Sequence, residues 1–270
     1  MEIAGKVFVV TGAGNGIGRE VALRLVAGGA SVAGVDLSGP GLQETRTLAD
    51  AGSRYSSHVV DITDRDAVEA LPDAVAATHE QVDGIINVAG VIQKFVKVLD
   101  LPYPEIEKVM NVNFWGVVHM CKAFLPVLVA RQEATIVNVA SMGAYAPVPG
   151  QALYGASKAA VKLFTEALYA ELLDTGVHVT VVFPGAISTG IAANSGVALA
   201  GDDSAGSGSY RTTSPVEAGR VIVQAIEKDR FRATIGPDAA AMDRLARLNP
   251  RYATTLIARK MSDLLGESTR

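Results

Sequence analysis

The sequence predicts a three-layer α/β/α fold, in which helices cover both faces of a doubly wound parallel sheet. Short apolar runs typical of buried strands alternate along the chain with longer segments of helical periodicity. The first apolar run leads directly into a glycine-rich turn and then a helix, which is how a βαβ unit begins. Because 49% of the 270 residues are hydrophobic, the chain can form one sizeable core, and we expect a single domain over residues 1–270.

Seven apolar runs mark the expected strands. The first two are Val7–Val10 and Ser31–Val35, and the later ones are His58–Val60, Ile85–Val88, Thr135–Val139, Val177–Phe183 and Ala233–Ile235. The two longest helices are predicted over Glu105–Arg131 and Gln151–Asp174. Pro126 is expected to kink or end the first of these helices, because proline lacks a backbone N–H.

Composition and charge narrow the possible functions. The net charge is −4 and no basic run or aromatic-laced basic patch occurs, so a nucleic-acid partner is not expected. Cys121 is the only cysteine, which rules out a disulfide within the chain and indicates a small buried side chain. No metal is predicted, because the four histidines show no ligand-like spacing: His58, His79, His119 and His178.

Two further features favour a soluble, cytoplasmic protein. The chain reaches its first predicted strand within six residues and shows no signal-peptide cleavage pattern. No run of about 18 uninterrupted apolar residues predicts a membrane span. We therefore expect a cytoplasmic location and no membrane partner.

The turn after the first strand predicts a dinucleotide site. It reads Thr11-Gly12-Ala13-Gly14-Asn15-Gly16-Ile17-Gly18. In such a strand–turn–helix unit, Gly12 allows the sharp turn, Gly16 lets a pyrophosphate approach the backbone, and Gly18 lets helix and strand pack closely. The free amides at the start of the helix then point at the phosphates.

An acidic residue at the end of the second strand indicates which dinucleotide binds. Asp36 lies 18 residues beyond Gly18, where a carboxylate can bind the ribose hydroxyls of NAD and would repel the 2′-phosphate of NADP. No Arg or Lys lies inside the glycine turn or directly after Asp36. The predicted cofactor is therefore NAD(H).

A tyrosine and a lysine four residues apart predict the chemistry. Tyr154 and Lys158 share one face of the second long helix, and Ser141 lies 13 residues before Tyr154. A free phenol has a pKa of about 10, and a nearby fixed cation is expected to lower the pKa of Tyr154. The phenol could then move a proton to or from an alcohol oxygen, which Ser141 could hold by a hydrogen bond.

Together these motifs resemble the classical short-chain dehydrogenase/reductase family over about Lys6–Thr189. The pattern Thr11-Gly12-x-x-x-Gly16-x-Gly18 is similar to the family's cofactor turn, and Asn15 stands where the extended branch would need glycine. The run Asn87-Val88-Ala89-Gly90 resembles the family's Asn-Asn-Ala-Gly motif, with Val88 replacing the second asparagine. The resemblance implies a Rossmann-type sheet of about seven strands, with the cofactor across its carboxyl edge.

The resemblance also implies roles for individual residues. The catalytic set would be Asn113, Ser141, Tyr154 and Lys158, in which Lys158 bonds the nicotinamide ribose and Asn113 holds a water linking Lys158 to solvent. Thr189 would contact the carboxamide of the nicotinamide. The full set implied to bind the cofactor is Gly12, Asn15, Gly16, Ile17, Gly18, Asp36, Leu37, Asp61, Ile62, Asn87, Ala89, Gly90, Tyr154, Lys158, Pro184, Gly185, Ile187 and Thr189.

The expected function is NAD(H)-dependent interconversion of a secondary alcohol and a ketone. One alternative is a 3-oxoacyl-carrier-protein reductase-like enzyme, against which Asp36 and the long C-terminal tail argue. Another is a non-enzymatic NAD-binding protein, a kind that usually lacks one of Ser, Tyr and Lys. An apolar small-molecule substrate is favoured, because the sequence offers no arginine pair as an anion clamp and its candidate pocket walls are Val91, Ile92, Phe95, Met142, Tyr145 and Val148.

Three further expectations concern the rest of the chain. Residues 190–214 are rich in Gly, Ser and Asp and follow the nicotinamide loop, where the family places a substrate lid. Residues 236–270 carry apolar side chains at helical spacing, which predicts a helical extension that shapes the pocket or an interface. The family commonly assembles through its long helices, so a homo-oligomer (tetramer or dimer) is expected through faces that include Phe114, Val117, Val118, Leu125, Phe164, Leu168 and Leu172.

Overall fold

The computed structural model describes residues 1–191, 195 and 212–260, which contain a seven-stranded sheet with helices on both faces. The order across the sheet is β3-β2-β1-β4-β5-β6-β7, and every pairing is parallel. The predicted α/β fold is confirmed. The strands are β1 (Val7–Thr11), β2 (Ser31–Asp36), β3 (Tyr55–Val59), β4 (Gly84–Asn87), β5 (Ala134–Val139), β6 (Val177–Pro184) and β7 (Arg232–Ile235).

The helices divide between the two faces because alternate side chains of each strand point in opposite directions. Phe8 and Val10 of β1 pack against one group of helices, whereas Val9 packs against the other. The first group is α1 (Gly16–Ala27), α2 (Gly39–Ala49) and α8 (Pro215–Glu227). The second group is α3 (Arg65–Glu69), α4 (Leu71–His79), α6 (Gly116–Val129) and α7 (Ala152–Glu171).

One long helical stretch crosses the second face without a break. Helix α5 (Tyr103–Met110) passes through a π-helical turn, Asn111–Trp115, into α6. Pro126 lies inside α6, which continues to Val129, so the proline does not end the helix as one expectation allowed. The stretch is long and apolar enough to cross a membrane by those two criteria alone. Part of its apolar surface, including Met120 and Phe124, is buried in the core.

The described part of the C-terminal region is helical. Helices α9 (Pro237–Leu248) and α10 (Pro250–Lys260) follow β7, and the two are separated at Asn249. Residues 261–270 of the predicted extension lie outside the described residues. The same is true of 192–194 and 196–211, which make up most of the predicted lid.

The apolar faces expected to bind a partner subunit are partly used within the chain. Val117, Leu168 and Leu172 are buried in the chain's own core, because they cover the sheet. They are therefore unavailable to a partner, and that part of the expectation was wrong. Large apolar side chains that do reach the surface of α6 and α7 are Val127, Val129, Leu163 and Tyr169.

Candidate active site

A cleft of about 350 Å³ follows the carboxyl ends of β1, β2, β3 and β4. Strand β1 lies between β2 and β4, so the connections that leave it and its neighbour run to opposite faces of the sheet. A crevice opens at such a switch point, and ligands of open α/β sheets bind there. The cleft continues to Thr189 and Ile191, beyond β6.

The glycine turn forms one wall of this cleft. Gly12 has a φ of +71°, a backbone conformation that favours glycine. A Cβ on Gly18 would overlap the carbonyl oxygen of Gly12, so glycine is what allows α1 to begin this close to β1. Gly12, Gly18 and the three residues Asn15, Gly16 and Ile17 line the cleft. The amides at the start of α1 are therefore placed to bind an anionic group.

Asp36 lies at the end of β2, inside the same cleft. Its Oδ2 accepts a hydrogen bond from the amide of Gly14 at 2.9 Å, and its Oδ1 accepts one from the amide of Ser38 at 2.9 Å. Each carboxylate oxygen can accept more than one hydrogen bond, so both can still accept from a ligand hydroxyl. The two amides thus fix the orientation of the carboxylate.

A cation near Asp36 was missed by the sequence reasoning. Arg19 of α1 donates to the carbonyl oxygen of Gly14 and, through Nε, to Oγ1 of Thr45 at 3.0 Å. Its guanidinium also pairs with Glu44, with 2.6 Å between Nη2 and Oε2. Glu44 therefore offsets the positive charge of Arg19. Arg19 and Glu44 lie on two different helices, so no local spacing in the sequence indicates that they pair.

Three further residues predicted to bind the cofactor line the cleft beside Asp36: Leu37, Asp61 and Ile62. Leu37 is 66% exposed. Oδ1 of Asp61 accepts hydrogen bonds from the amide and the hydroxyl of Thr63, both at 2.8 Å.

The turn after β4 is only partly in the cleft. Ala89 and Gly90 line it, and Oγ1 of Thr11 accepts hydrogen bonds from the amides of Val88 and Ala89 at 3.0 and 3.2 Å. Asn87 instead points its side chain inward and donates to Oδ1 of Asn138 at 2.8 Å. Its side chain is buried away from the cleft walls, because the polar pair it forms with β5 requires that direction.

Ser141 and Tyr154 come together at the end of β5. Oγ of Ser141 and Cε1 of Tyr154 would each lie 3.5 Å from a Cβ placed on Gly143, so the two side chains are neighbours. Oγ of Ser141 also accepts a hydrogen bond from the amide of Gly143 at 3.0 Å, which fixes the serine. Burial raises the pKa of Tyr154 above the usual value for a phenol, and the hydrogen bond from Ser141 opposes this rise. The expected lowering of the Tyr154 pKa was therefore wrong for the protein chain by itself, because burial raises the pKa by more than Ser141 lowers it.

Lys158 is buried on α7, one turn beyond Tyr154, and its Nζ donates to the carbonyl oxygen of Val139 at 3.0 Å. Burial lowers the pKa of Lys158 to about 8. A Cβ placed on Gly90 would lie 3.1 Å from Nζ of Lys158 and 3.1 Å from Oδ1 of Asn113. Both side chains therefore meet at Gly90, a residue of the cleft wall.

Asn113 lies in the π-helical turn and is fully buried. Its Oδ1 accepts from the amide of Val91 at 2.8 Å, and its Nδ2 donates to the carbonyl oxygen of Val91 at 2.9 Å and to Oγ of Ser157 at 3.1 Å. The side chain thus joins the loop after β4 to α7. Its place beside Lys158 agrees with the catalytic set, while its amide contacts are structural.

The loop after β6, predicted to hold the nicotinamide, is held from both sides, although only its last predicted residue, Thr189, lines the cleft. Ile187 packs against the core, and the loop forms a bridge to Thr213, whose amide donates to the carbonyl oxygen of Ala186 at 2.8 Å. Pro184 ends β6, and Gly185 follows it closely against the side chain of Asp238.

The six residues predicted to line a substrate pocket are all partly exposed, but one of them makes a different contact. Val91 lines the cleft. Tyr145 points instead to the C-terminal region, where its hydroxyl donates to the carbonyl oxygen of Ala239 at 2.8 Å. The remaining four are Ile92, Phe95, Met142 and Val148.

Comparisons with known proteins identify the family of this chain. The sequence profile for the short chain dehydrogenase family matches residues 6–198. The putative oxidoreductase SadH of Mycobacterium tuberculosis is 40% identical over 261 residues, covering 94% of each chain. The 1-deoxy-11-beta-hydroxypentalenate dehydrogenase of Streptomyces avermitilis is 33% identical over 242 residues, covering 88% of this chain and 87% of that one.

Solved structures show the same fold. A short-chain dehydrogenase/reductase from Burkholderia phymatum in complex with NAD has a TM-score of 0.83 and 27% identity, covering 93% of this chain and 96% of that one. A short chain dehydrogenase from Burkholderia cenocepacia in complex with NADP has a TM-score of 0.79 and 28% identity, covering 95% and 99%.

The chain belongs to the short-chain dehydrogenase/reductase family, and it is an oxidoreductase of the class that uses a nicotinamide cofactor. The residues present fit such a cofactor. A Cβ on Gly16, at the start of α1, would meet nothing closer than Thr189 at 3.6 Å, and Asp36 lines the same cleft.

Proposed function

We propose that this protein is an NAD(H)-dependent enzyme that interconverts a secondary alcohol and a ketone of an apolar small molecule. The observation that carries the proposal is the meeting of Ser141 and Tyr154 next to a buried Lys158. Lys158 lies against Gly90, which lines the cleft that fits the cofactor.

The nicotinamide supplies or accepts the hydride when it is bound. Tyr154 moves the proton, as the acid in reduction and the base in oxidation, and Ser141 hydrogen-bonds the same substrate oxygen. The raised pKa of Tyr154 keeps the phenol protonated at neutral pH. A positive charge on Lys158 then stabilises the phenolate as it forms. This interaction therefore stabilises the transition state of the proton transfer more than the ground state.

Asp36 supports NAD over NADP. Two backbone amides hold its carboxylate in the cleft, where its negative charge would oppose a 2′-phosphate. Arg19, a cation close to this point, is paired with Glu44 and therefore offers less attraction to a phosphate.

An alcohol substrate is supported by the similar Streptomyces protein, whose name is that of a dehydrogenase acting on a hydroxylated compound. Met142 directly follows Ser141, and Val91 lines the cleft. Both side chains and that of Ile92 are apolar and partly exposed, which supports an apolar substrate.

The direct test of the chemistry is Tyr154→Phe, which keeps the ring and removes the proton carrier. We expect kcat for a secondary alcohol, found with an alcohol panel and NAD, to fall at least ~100-fold, while NADH still binds. Turnover within a few-fold of wild type would refute the role of Tyr154.

The test of the cofactor is a fluorescence titration with NADH and with NADPH. We expect tighter binding of NADH in the wild type, and Asp36→Ala should reduce the difference by relieving the repulsion. Tighter NADPH binding by the wild type would contradict the proposal and would favour the carrier-protein reductase alternative.

A further inference from the structure

We infer that Gln93 is a positioning residue for Tyr154, because its buried side chain caps the helix that carries the tyrosine. The inference rests on the proposed role of Tyr154 as the proton carrier. Gln93 lies in the loop after β4, about 60 positions before α7 in the sequence, and it is fully buried.

Helix α7 begins without a cap of the usual local kind. The N-cap residue Gln151 makes no side-chain capping hydrogen bond to the helix. In most helices the N-cap side chain accepts from the amides of the second or third helical residue, which here are Leu153 and Tyr154. Because Gln151 does not cap the helix, these two amides need an acceptor from another part of the chain.

Gln93 supplies that acceptor. Its Oε1 accepts from the amide of Leu153 at 3.0 Å and from the amide of Tyr154 at 3.0 Å. Its Nε2 donates to the carbonyl oxygen of Gly150 at 2.9 Å. The orientation of the side-chain amide is therefore determined, because reversing it would place a donor against two donors and an acceptor against a carbonyl.

The first residues of α7 also bond back to the loop that contains Gln93. Nε2 of Gln151 donates to the carbonyl oxygen of Gln93 at 2.6 Å. The loop and the helix are thus joined by hydrogen bonds in both directions. Because these groups are buried, breaking one bond leaves an unpaired polar atom away from water, so the junction is rigid.

The loop that presents Gln93 is itself fixed. The Asn113 side chain holds both the amide and the carbonyl of Val91. Oγ of Ser195 accepts from the amide of Ile92 at 3.0 Å. Gln93 therefore transmits the position of the cleft wall to the backbone of Tyr154.

The consequence is the alignment of the phenol with Ser141. The hydrogen bond from Ser141 opposes the rise in the Tyr154 pKa that burial causes. If the first turn of α7 shifts, this bond weakens and the pKa of the phenol rises further. Gln93 thus affects turnover and its pH dependence without touching the substrate or the cofactor cleft.

The test compares two substitutions of Gln93 in the whole 270-residue chain, with kcat and KM measured from pH 5 to 11. Gln93→Met keeps the side-chain length and removes the hydrogen bonds. We expect kcat to fall about 10-fold or more and the pH limb that reports Tyr154 to move to higher pH, with KM for NAD within about 2-fold. Gln93→Glu keeps an acceptor for both amides, but only its protonated carboxyl can also donate to the carbonyl oxygen of Gly150. We therefore expect it to restore most of kcat at the low-pH end of the range and to lose kcat as the buried carboxyl ionises.

Thr165→Val is the matched control, since it removes a buried hydrogen bond between the same helix and Asn138, far from the phenol. We expect it to lower the melting temperature without changing kcat or the pH limb. An equal loss of kcat in Thr165→Val would overturn the inference, because general loosening of α7 would explain both variants. If Gln93→Met does not fold, Gln93→Asn takes its place, since its shorter side chain cannot reach both amides.

A folded Gln93 variant with the wild-type kcat and pH limb would also overturn the inference. The proposed function is tested separately by Tyr154→Phe. An active Tyr154→Phe enzyme removes the proposed mechanism, whereas an inactive one with an unaffected Gln93→Met enzyme removes only the positioning role.

Discussion

At the scale of single residues, burial works against charge in the proposed active site. Burial raises the pKa of Tyr154 and lowers that of Lys158 to about 8, so both side chains are driven towards their neutral forms. The buried charge of Lys158 is therefore costly to the fold, whereas the phenol of Tyr154 is neutral at pH 7 in both the folded and the unfolded chain. The proposed chemistry would account for keeping such a lysine. Replacing Lys158 with an apolar residue should therefore raise the stability of the fold and lower its activity.

Lys158→Met should show this separation. A pKa lowered from 10.5 to about 8 means that burying the charged amine costs about 3 kcal/mol, and the lost bond to Val139 offsets about 1 kcal/mol. We expect the variant, without cofactor, to unfold at higher denaturant concentration than wild type while losing activity. Since the unfolded chain binds the Lys158 proton more tightly, wild-type stability should also rise from about pH 8 to pH 10.5.

Lys162→Met serves as the control for this prediction. Lys162 lies on the same helix, is partly exposed and pairs with Glu166 at 2.7 Å. Its replacement should leave activity unchanged and give no stabilisation. A Lys158→Met protein less stable than wild type by more than about 1 kcal/mol would contradict our account of the buried charge.

The residues that the sequence revealed are those whose spacing has a local meaning. The Tyr154–Lys158 pair is one helical turn, and Gly12, Gly16 and Gly18 belong to one turn of backbone. Gln93 gave no such signal, because its partners lie about 60 residues away and a single glutamine in a loop has no periodicity. The Tyr154 pKa was mispredicted for a related reason, since the extent of burial depends on the tertiary structure.

At the scale of elements, the central strands could be predicted, whereas the edge strand β3 was predicted less well. Strand β5 is buried along its whole length and differs from the predicted run only by including Ala134. Strand β3 spans Tyr55–Val59 where His58–Val60 was predicted. Because β3 is an edge strand, only Tyr55 is buried and the strand can contain the polar residues Ser56 and Ser57. The strand therefore lacks the continuous apolar run by which the others were predicted.

Helix α9 holds two active-site loops, which the sequence indicated only as a possible role of the C-terminal extension. Oδ2 of Asp238 accepts from the amide of Ala186, in the nicotinamide loop, at 2.8 Å. The hydroxyl of Tyr145, in the segment after Ser141, donates to the carbonyl oxygen of Ala239. The first turn of α9 therefore ties together the ends of β5 and β6.

Asp238→Ala should loosen the nicotinamide loop, because the amide of Ala186 loses its acceptor. We expect the Kd for NADH to rise about 10-fold, or about 1.4 kcal/mol, in a fluorescence titration. The matched control is Asp243→Ala on the same helix, which breaks the pair with Arg232 but no bond to the loop. The control should lower the melting temperature and leave the Kd unchanged, and an unchanged Kd in Asp238→Ala would show that α9 does not position the loop.

At the scale of the whole molecule, the sheet order explains why distant segments form one site. The glycine turn, Asp36, Gly90, Ser141 and Thr189 all follow the carboxyl ends of strands. Parallel strands bring these ends to one edge of the sheet. The topology could be inferred from the alternating pattern of the sequence, whereas the hydrogen bonds that lock the loops together required the folded structure.

Stability of the whole molecule should depend on pH through two histidines at the β3 edge of the sheet. Nε2 of His58 and Nε2 of His79 each lie 2.8 Å from Oγ of Ser56. Burial lowers the pKa of both histidines, and the nearby His79 lowers that of His58 further. The folded chain therefore binds protons at these sites less tightly than the unfolded chain does.

The two neutral histidines therefore contribute to the free energy of unfolding. Their contribution is fully present above about pH 6.5, the pKa of an unfolded histidine, and is lost as the pH falls through their pKa values in the folded chain. The free energy of unfolding should decrease from pH 7 to pH 5 by no more than about 1.4 kcal/mol per pH unit for each histidine. Urea titrations across this range would measure it, and the double variant His58→Gln, His79→Gln should flatten the profile. A wild-type profile that rises towards pH 5, or one that the double variant leaves unchanged, would show that these two rings are not the groups that set the acid sensitivity of the fold.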